Sequence, residues 1–381
     1  MHEHNKTHAN TRAHSGSPLG ARRAILFNGI LCCLSIFAVL IAGEAFVRLA
    51  MPRDDIAEWY LPHPRYHHLL KPNFHQRYVY RPFGAYMDVQ TNASGFRDTP
   101  RERAPDDAAL VLFLGDSFVF GYGLDVEQRM DTALRRMARE REISLDTINW
   151  GVPGWGTSHQ ALYAADHLKN VQPDALVLLF CNNDPANDRG VGLPTLPDMD
   201  SSLYPLKTLL RRRLHLYRML LEVRAFLSAG RQENRESSGD VRPDGSPCDI
   251  MPEDWRRTKG FIFDIHQALN AANPGTQMLL MAASPDDAPV RESLTAIASE
   301  KPGLHYLDIA PGIAHLSQDE RQMPWDAHWS PAVHHAAAAA VLDWIAANLA
   351  ADRHKHTVEP RDGLVSVSAK FHRLWWSLKA S

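Results

Sequence analysis

Short runs of apolar residues alternate with amphipathic stretches over the middle of the chain. Strands are predicted at 109–114, 144–149, 175–181, 277–282 and 304–308, and the unbroken apolar run at 109–114 is typical of a strand buried on both faces. Helical patterns follow them at 126–142, 157–170, 254–271, 288–299 and 331–349. This alternation predicts βαβ units, and so a three-layer α/β/α (flavodoxin-like) fold with a five-stranded parallel sheet over residues 109–350.

An insertion at 185–253 separates the third predicted strand from the fourth. It contains an amphipathic pattern at 204–227 with three consecutive arginines at 211–213, and then a polar loop at 232–246. A basic amphipathic helix either lies on a membrane surface or covers its own domain, and the pattern leaves both open. A separate carboxy-terminal tail, 351–381, either packs on the domain or touches a partner or a bilayer. Its large apolar residues are Phe371, Leu374, Trp375 and Trp376.

The longest apolar run is close to the amino terminus, at Ile25–Ala42. With its flanks, 24–50, it reaches the roughly 20 residues that a membrane span requires. Arg22 and Arg23 precede it, which predicts that the amino end stays in the cytoplasm and that 51–381 lies outside, on the periplasmic side. We therefore expect a single-pass membrane anchor.

A cleaved signal peptide is the alternative interpretation of that run. The run is long for a signal core, and no Ala-x-Ala-like cleavage site precedes Glu44, so an uncleaved anchor is favoured. The preceding residues, 1–23, are polar and rich in histidine, a composition that predicts a disordered tail.

The overall composition excludes several function classes. The formal net charge is -3, so no basic field is present to hold a nucleic acid. Four cysteines are too few for a disulfide scaffold. No metal-ligand spacing and no Gly-rich phosphate loop with a following lysine occurs, so we expect no metal and no cofactor.

Gly115-Asp116-Ser117 follows directly after the first strand of the alternation. Ser117 is thereby predicted to lie in the turn at the carboxyl end of a central strand, where open α/β sheets bind their ligands. A tight polar turn alone would explain these three residues. A serine hydroxyl becomes a nucleophile only with a base within hydrogen-bond reach and donors for the oxyanion that forms.

Three later stretches are predicted to end at the same edge of the sheet. The glycine-rich loop that contains Gly154 follows the second strand, and Asn183 follows the third. Before the last helix, Asp326 and His328 have the residue types of a base with its orienting acid, and Pro331 is typical of a first helical turn.

These blocks, taken in order, resemble those of the SGNH (GDSL-type) hydrolase superfamily. The matching stretches are Gly115-Asp116-Ser117, Asn149-x-Gly151-x-x-Gly154, Asn183-Asp184 and Asp326-x-His328. One residue separates Asp326 from His328, where many members have two. The lead-in segment, 51–108, carries strand patterns at 78–80 and 86–89. Its Thr91-Asn92-x-x-Gly95-Phe96-Arg97 loop, after an amino-terminal anchor, is similar to a bacterial membrane-tethered branch of the superfamily.

The resemblance implies a serine esterase that acts on ester-linked acyl groups, and the predicted anchor favours a cell-surface glycan or a lipid as its substrate. The resemblance also implies that Ser117 is the nucleophile, His328 the base and Asp326 its orienting acid. Asp308, which closes the fifth predicted strand, is the alternative acid. It also implies an oxyanion hole from the amides of Ser117 and Gly154 and the side chain of Asn183. An O-acyltransferase acting on a polysaccharide, and a non-catalytic binding or assembly module on the same fold, are the alternative functions.

Overall fold

The computed structural model describes residues 18–50, 58–80, 85–98, 105, 108–191, 193, 203–221, 223–224, 250–324 and 326–348. Most of the predicted amino-terminal tail, the polar loop at 232–246 and the tail at 351–381 lie outside the described residues. Asp326 is described through its backbone alone.

The described strands and helices alternate along most of the chain. In order from the amino terminus they are α1 (Pro18–Ala50), β1 (Tyr60–His63), β2 (His67–Leu70), β3 (His75–Tyr80), β4 (Ala85–Gln90), β5 (Ala109–Gly115), α2 (Ser117–Phe120), α3 (Met130–Glu140), β6 (Leu145–Gly151), α4 (Thr157–His167), β7 (Ala175–Phe180), α5 (Asp184–Asp188), α6 (Tyr204–Arg213), α7 (215–221), α8 (Pro252–Ala272), β8 (Gln277–Ala282), α9 (Ala288–Ser299), β9 (Leu304–Tyr306), α10 (Ala310–Ile313), α11 (Gln318–Arg321), β10 (Gln322–Met323), β11 (Asp326–Trp329) and α12 (Pro331–Asn348).

The predicted parallel sheet is confirmed, with five strands in the order β6-β5-β7-β8-β9. Strands β5 and β7 are buried at every position, as their unbroken apolar runs require. Strand β5 pairs with β6 on one side and with β7 on the other. The chain therefore adds β6 at one side of β5 and the later strands at the other, so the strand order reverses at β5. Such a switch point opens a crevice at the carboxyl ends of the strands, and Ser117 follows β5 at that edge.

Helices cover both faces of the sheet, which gives the three predicted layers. On one face α3 and α12 pack on Val111, Phe113 and their neighbours. On the other face α4, α8 and α9 pack on Leu112, Leu114 and their neighbours. The two faces of β5 thus belong to two separate apolar clusters, since successive side chains along a strand point to opposite sides.

The lead-in segment forms two hairpins that pack into one of these clusters. Strands β1 and β2 pair with each other, as do β3 and β4, both antiparallel. Only parts of β3 and β4 were predicted from the sequence. Trp59 is fully buried, and its ring lies 6.1 Å from that of Phe120 in α2. Phe96 stacks on Trp150 of β6 at 5.9 Å. The lead-in and the sheet therefore share one hydrophobic core.

Arg97, from the loop after β4, binds the carbonyl end of α2. It is fully buried and donates to the carbonyl oxygens of Gly121 (2.7 Å) and Leu124 (2.6 Å). It also donates to the carbonyl oxygen of Asp88 at 2.6 Å. Burial lowers the pKa of Arg97 to about 9, so the group stays charged at neutral pH. A positive charge at this end of a helical turn also satisfies carbonyls that have no partner within the helix.

The predicted amphipathic helix at 204–227 is two helices rather than one. Helix α6 ends at Arg213, and Leu214 takes an extended conformation before α7 begins. The periodicity of the sequence runs through the break without a proline or glycine at Leu214, so it contains no local signal for this end.

Of the described residues, one helix is long and apolar enough to cross a membrane, at Ile25–Ala50 in α1. Its large apolar side chains, such as Leu26 and Phe37, are more than half exposed. This confirms that the apolar run forms a long helix. The segment predicted as an anchor, 24–50, lies within α1.

The buried guanidinium of Arg97 generates a stability prediction. Arg97→Met removes the guanidinium donor from the carbonyl oxygens of Gly121 and Leu124, and a buried polar group that loses its partner costs roughly 1–3 kcal/mol. We expect the free energy of unfolding to fall by about 3 kcal/mol or more, measured by urea unfolding of the full chain in detergent. Arg77→Met is the matched control, because exposed Arg77 lies 3.8 Å over the ring of Tyr86. It should cost less than about 1 kcal/mol. Equal losses would contradict the assigned role.

Candidate active site

Ser117 is the first residue of α2, directly after the buried strand β5. Asp116 caps this turn, since its carboxylate accepts a hydrogen bond from the amide of Phe118 at 2.9 Å. The buried carboxyl of Asp116 has a raised pKa because desolvation outweighs that hydrogen bond and the nearby imidazole of His328. Asp116 thus fixes the turn and leaves Ser117 half-buried at the sheet edge.

The structure brings His328 to Ser117. The Nε2 atom of His328 lies 2.7 Å from the Oγ atom of Ser117, within hydrogen-bond distance. The imidazole packs near two aromatic rings, with centroid distances of 4.8 Å to Phe118 and 5.0 Å to Tyr122.

The loop that carries His328 is itself fastened to the sheet. Strand β11 pairs with β10, and the indole N–H of Trp329 donates to the carbonyl oxygen of Ala283 at 2.7 Å, just after β8. The hairpin β10–β11 was not predicted from the sequence. Helix α12 begins at Pro331 as expected. The amide of Ser330 donates to the carbonyl oxygen of Arg321, which ties the start of α12 back to α11.

Asn149, in the second motif block, joins β6 to α2. Its side-chain amide donates to the carbonyl oxygen of Val119 (2.8 Å) and to Asp131 (3.1 Å). Its own carbonyl accepts from the amide of Gly151 at 2.9 Å. At Gly151 an added Cβ would lie 2.2 Å from the amide nitrogen of Phe120, so only glycine permits this close approach of β6 to α2. Asn149 is therefore a structural group that holds the nucleophile turn in place.

Asp131 is held by a buried ion pair with Arg129. The guanidinium of Arg129 donates to both carboxylate oxygens of Asp131, at 3.0 and 2.9 Å. Burial raises the pKa of Asp131, but the charges of Arg129 and Arg135 outweigh it and lower the pKa below its usual range. The remaining Nη1 of Arg129 donates to the carbonyl oxygen of Arg97 at 2.7 Å. This pair therefore connects the lead-in to α3 and to Asn149.

The loop with Gly154 is held from two sides. Gly154 has a φ of +86°, in the left-handed region that favours glycine. Its carbonyl oxygen accepts from the side-chain amide of Asn187 at 3.1 Å. The preceding carbonyl, of Pro153, lies 2.9 Å from Nε2 of His68 in β2. The indole N–H of Trp155 donates to the carbonyl oxygen of His68 in return.

The hydrogen bonds of His68 define its tautomer. Burial lowers the pKa of His68 to about 3, so the ring is neutral. A carbonyl accepts only, so Nε2 carries the hydrogen that goes to Pro153. The bare Nδ1 then accepts from Nδ1–H of His67, which lies 2.8 Å away. The peptide between Pro153 and Gly154 is thus held by a chain of two hydrogen bonds, from His67 to His68 and from His68 to the Pro153 carbonyl.

Asn183 lies at the end of β7, next to β5 in the sheet, and its side chain is exposed. The following Asp184 is buried and accepts from the hydroxyl of Thr157 at 2.9 Å. Burial and the nearby charge of Asp116 raise the pKa of Asp184 well above its usual range. Asp188 accepts from the amide of Ser158 at 2.8 Å. The third motif block is therefore bonded to the loop and helix of the second.

The two candidate orienting acids lie in different settings. Asp326 occupies β11 two positions before His328, and alternate positions along a strand share one face. Asp308 is exposed and accepts from the amide of Ala310, so it caps α10.

Sequence reasoning missed the parts of the site that come from the lead-in. Arg97 was recognised only as part of a motif, and His68 was not recognised at all. Asn187, which holds Gly154, was also missed. These residues could not be recognised from the sequence, because each is a single polar side chain outside any periodic pattern and its partners are backbone atoms far along the chain.

No protein-family model matches the chain, and no curated protein matches it. Solved structures do resemble it. EstA, a psychrotrophic esterase from Pseudoalteromonas sp., is 14% identical, and the match covers 63% of this chain and 98% of EstA with a TM-score of 0.39. AlinE4, an SGNH-hydrolase family esterase, is 15% identical over 66% of this chain and 98% of AlinE4 with a TM-score of 0.33.

A family 3 carbohydrate esterase from Clostridium thermocellum is 12% identical over 64% of this chain and 98% of that enzyme, with a TM-score of 0.39. An SGNH hydrolase is thus among the solved structures that this chain resembles.

The buried histidine His334 generates a pH prediction. It is buried in α12, and its Nδ1 accepts from the amide of Met130. Burial lowers its pKa from 6.5 to about 3. Below the unfolded pKa the unfolded chain gains a proton that the folded chain excludes, so the free energy of unfolding falls as pH falls. Between about pH 7 and pH 5, His334 should account for roughly 2 kcal/mol of that loss.

The test is urea unfolding of the full chain in detergent at several pH values in that window. His334→Asn keeps an acceptor for Met130 and removes the titration, so its slope with pH should be shallower than that of the parent chain. His335→Asn, at the neighbouring exposed position, should leave the slope unchanged. An unchanged slope in His334→Asn would show that His334 is not held neutral in the folded state.

Proposed function

We propose that this chain is a serine ester hydrolase that transfers an acyl group from its substrate to Ser117 and then to water. The single observation that carries this proposal is the 2.7 Å distance between Ser117 Oγ and His328 Nε2. A nucleophile and a base within hydrogen-bond reach, at the switch point of a parallel sheet, are the minimum that acyl transfer needs.

The proposed reaction begins with proton transfer. His328 takes the hydroxyl proton as Ser117 Oγ attacks the ester carbonyl, and later gives a proton to the leaving alcohol. When Nε2 accepts from the serine, Nδ1 carries the hydrogen of the neutral ring. We assign Asp326 as the acceptor for Nδ1–H, because position 326 shares a strand face with position 328. Asp308 is assigned to capping α10.

The proposed oxyanion hole consists of the amides of Ser117 and Gly154 and the side-chain amide of Asn183. The hydrogen bond from His68 to the Pro153 carbonyl supports this assignment. Pro153 C=O and Gly154 N–H belong to one planar peptide, so a donor at the oxygen fixes the direction of the N–H and polarises it. Loss of one oxyanion donor typically costs about 2.7–4 kcal/mol of transition-state stabilisation.

We further propose that α1 is a single-pass anchor and that the hydrolase acts outside the cytoplasm. The exposed apolar surface of α1 supports the anchor, and the basic residues Arg22 and Arg23 ahead of its apolar run support this orientation. An anchored hydrolase acts on esters near the membrane, and an acylated cell-surface glycan or a lipid ester is the substrate class that we propose.

Ser117→Ala tests the nucleophile. It removes only a half-exposed hydroxyl, so the fold should remain, while turnover of p-nitrophenyl acetate and covalent labelling by a fluorophosphonate should both vanish. Ser299→Ala, which removes an exposed hydroxyl from α9, is the matched control and should behave like the parent chain. If Ser117→Ala keeps full activity on every ester tried, Ser117 is not the nucleophile and the proposed mechanism fails.

Asp326→Asn against Asp308→Asn tests the orienting acid. In serine proteases the corresponding change costs about 10⁴-fold in kcat, because the imidazole takes the wrong tautomer. We expect Asp326→Asn to reduce kcat toward that limit with little change in KM, and Asp308→Asn to leave kcat within a few fold. The opposite order would assign the role to Asp308.

A further inference from the structure

Exposed apolar side chains are concentrated in α6, α7 and their flanks. Between residues 203 and 223 they are Leu203, Leu206, Leu209, Leu214, Leu220 and Val223, each at least 37% exposed. Outside α1 and this stretch, the described large apolar side chains with such exposure are four and scattered: Tyr86, Leu162, Val191 and Met251. A dense exposed apolar patch of this kind marks a contact surface.

The same stretch is strongly basic. Residues 203–223 contain one acidic residue, Glu222, and five lysines and arginines: Lys207, Arg211, Arg212, Arg213 and Arg218. Leucines interspersed with lysine and arginine are typical of helices that lie in a membrane interface, where apolar side chains enter the acyl boundary and cations meet anionic headgroups.

Helix α7 is bonded to the last turns of α1. The carboxylate of Glu44 accepts from the backbone amides of His215 (2.9 Å) and Leu216 (2.8 Å), the first residues of α7. Arg48 donates to the carbonyl oxygen of Arg213, the last residue of α6. Glu44 thus satisfies amides at the start of one helix, and Arg48 a carbonyl at the end of the other.

The length of α1 sets the depth of these bonds. At about 1.5 Å per residue, Ile25–Ala42 measures about 27 Å, close to the roughly 30 Å hydrocarbon core of a bilayer. Glu44 and Arg48 follow directly, at the level of the headgroups. Two helices hydrogen-bonded to these side chains lie at the same level.

We propose that α6 and α7 form an interfacial pair that lies on the membrane surface, with the exposed leucines in the acyl boundary and the basic residues at anionic phospholipid headgroups. The inference rests on the proposed anchor, and it resolves the two alternatives for 204–227 in favour of the membrane. The pair and the outer end of α1 together then define the height of the chain at the bilayer.

The test uses the full chain in phospholipid vesicles, with an NBD fluorophore on one cysteine. Cys32, Cys33 and Cys248 are changed to serine, and buried Cys181 is retained. Leu209→Cys carries the probe on α6, and Glu127→Cys carries the control probe at an exposed polar position. Fluorophosphonate labelling at Ser117 checks that each variant is folded.

The expected result at position 209 is a blue-shifted emission whose intensity is quenched when nitroxide-bearing lipids are added. The emission of the probe at position 127 should be unshifted. The shift should be larger with phosphatidylglycerol in the vesicles than with phosphatidylcholine alone, and it should shrink in high salt. An aqueous spectrum at 209 in both lipids would overturn the inference.

Other outcomes separate this inference from the proposals that it rests on. A blue shift without quenching by lipid nitroxides places the probe against protein, and then the helices cover their own domain. Failure of the chain to float with the vesicles overturns the anchor and the interfacial pair together. Loss of the lipid contact with full Ser117 labelling overturns the interfacial pair and leaves the hydrolase proposal intact.

Discussion

The nucleophile turn depends on a buried charge that binds backbone rather than another charge. Arg97 directs its guanidinium at carbonyl oxygens around the end of α2, whose first residue is Ser117. A planar group with five fixed donors can satisfy several carbonyls at once, which a lysine cannot. Because α2 is only one turn long, restraining its last carbonyls also restrains its first residue. The hydrogen bonds from Arg97 can therefore hold Ser117 in position although α2 has only four residues.

The polar groups behind the active edge form a connected set. Arg129 links the carbonyl of Arg97 to Asp131, and Asp131 accepts from Asn149, which in turn binds α2. On the other side His68 binds the carbonyl oxygen of Pro153, and Asn187 binds that of Gly154. Such networks are stabilising only when their buried members find partners, and they then favour one geometry over its neighbours. The reactive atoms thereby sit on elements whose positions are determined by atoms far along the chain.

The parts of the fold that sequence predicted are those set by local patterns. The five strands of the sheet appear within about two residues of their expected bounds. The central strand β7 was the simplest to predict, because an unbroken apolar run such as 175–180 is stable only when it is buried on both faces. The break at Leu214 was missed, because the start of α7 is bound by Glu44, which lies 171 residues earlier in the chain. The local periodicity of the sequence contains no information on such a distant contact. Ser117 and His328 were paired through their motif blocks and the shared strand edge. Arg97 and His68 had no such pattern, because they bind distant backbone.

The shared core of the lead-in has a consequence for the order of folding during synthesis. Trp59 and Tyr66 leave the ribosome early, yet their ring partners Phe120 and Tyr163 lie about 60 and 100 residues later in the chain. Hairpins of two strands gain little stability alone, so this first-made segment stays incomplete until β6 and α4 have emerged. With the single-pass anchor that we propose, this segment emerges first outside the cytoplasm and stays unfolded, open to chaperones or proteases, while the sheet that completes it is still being made.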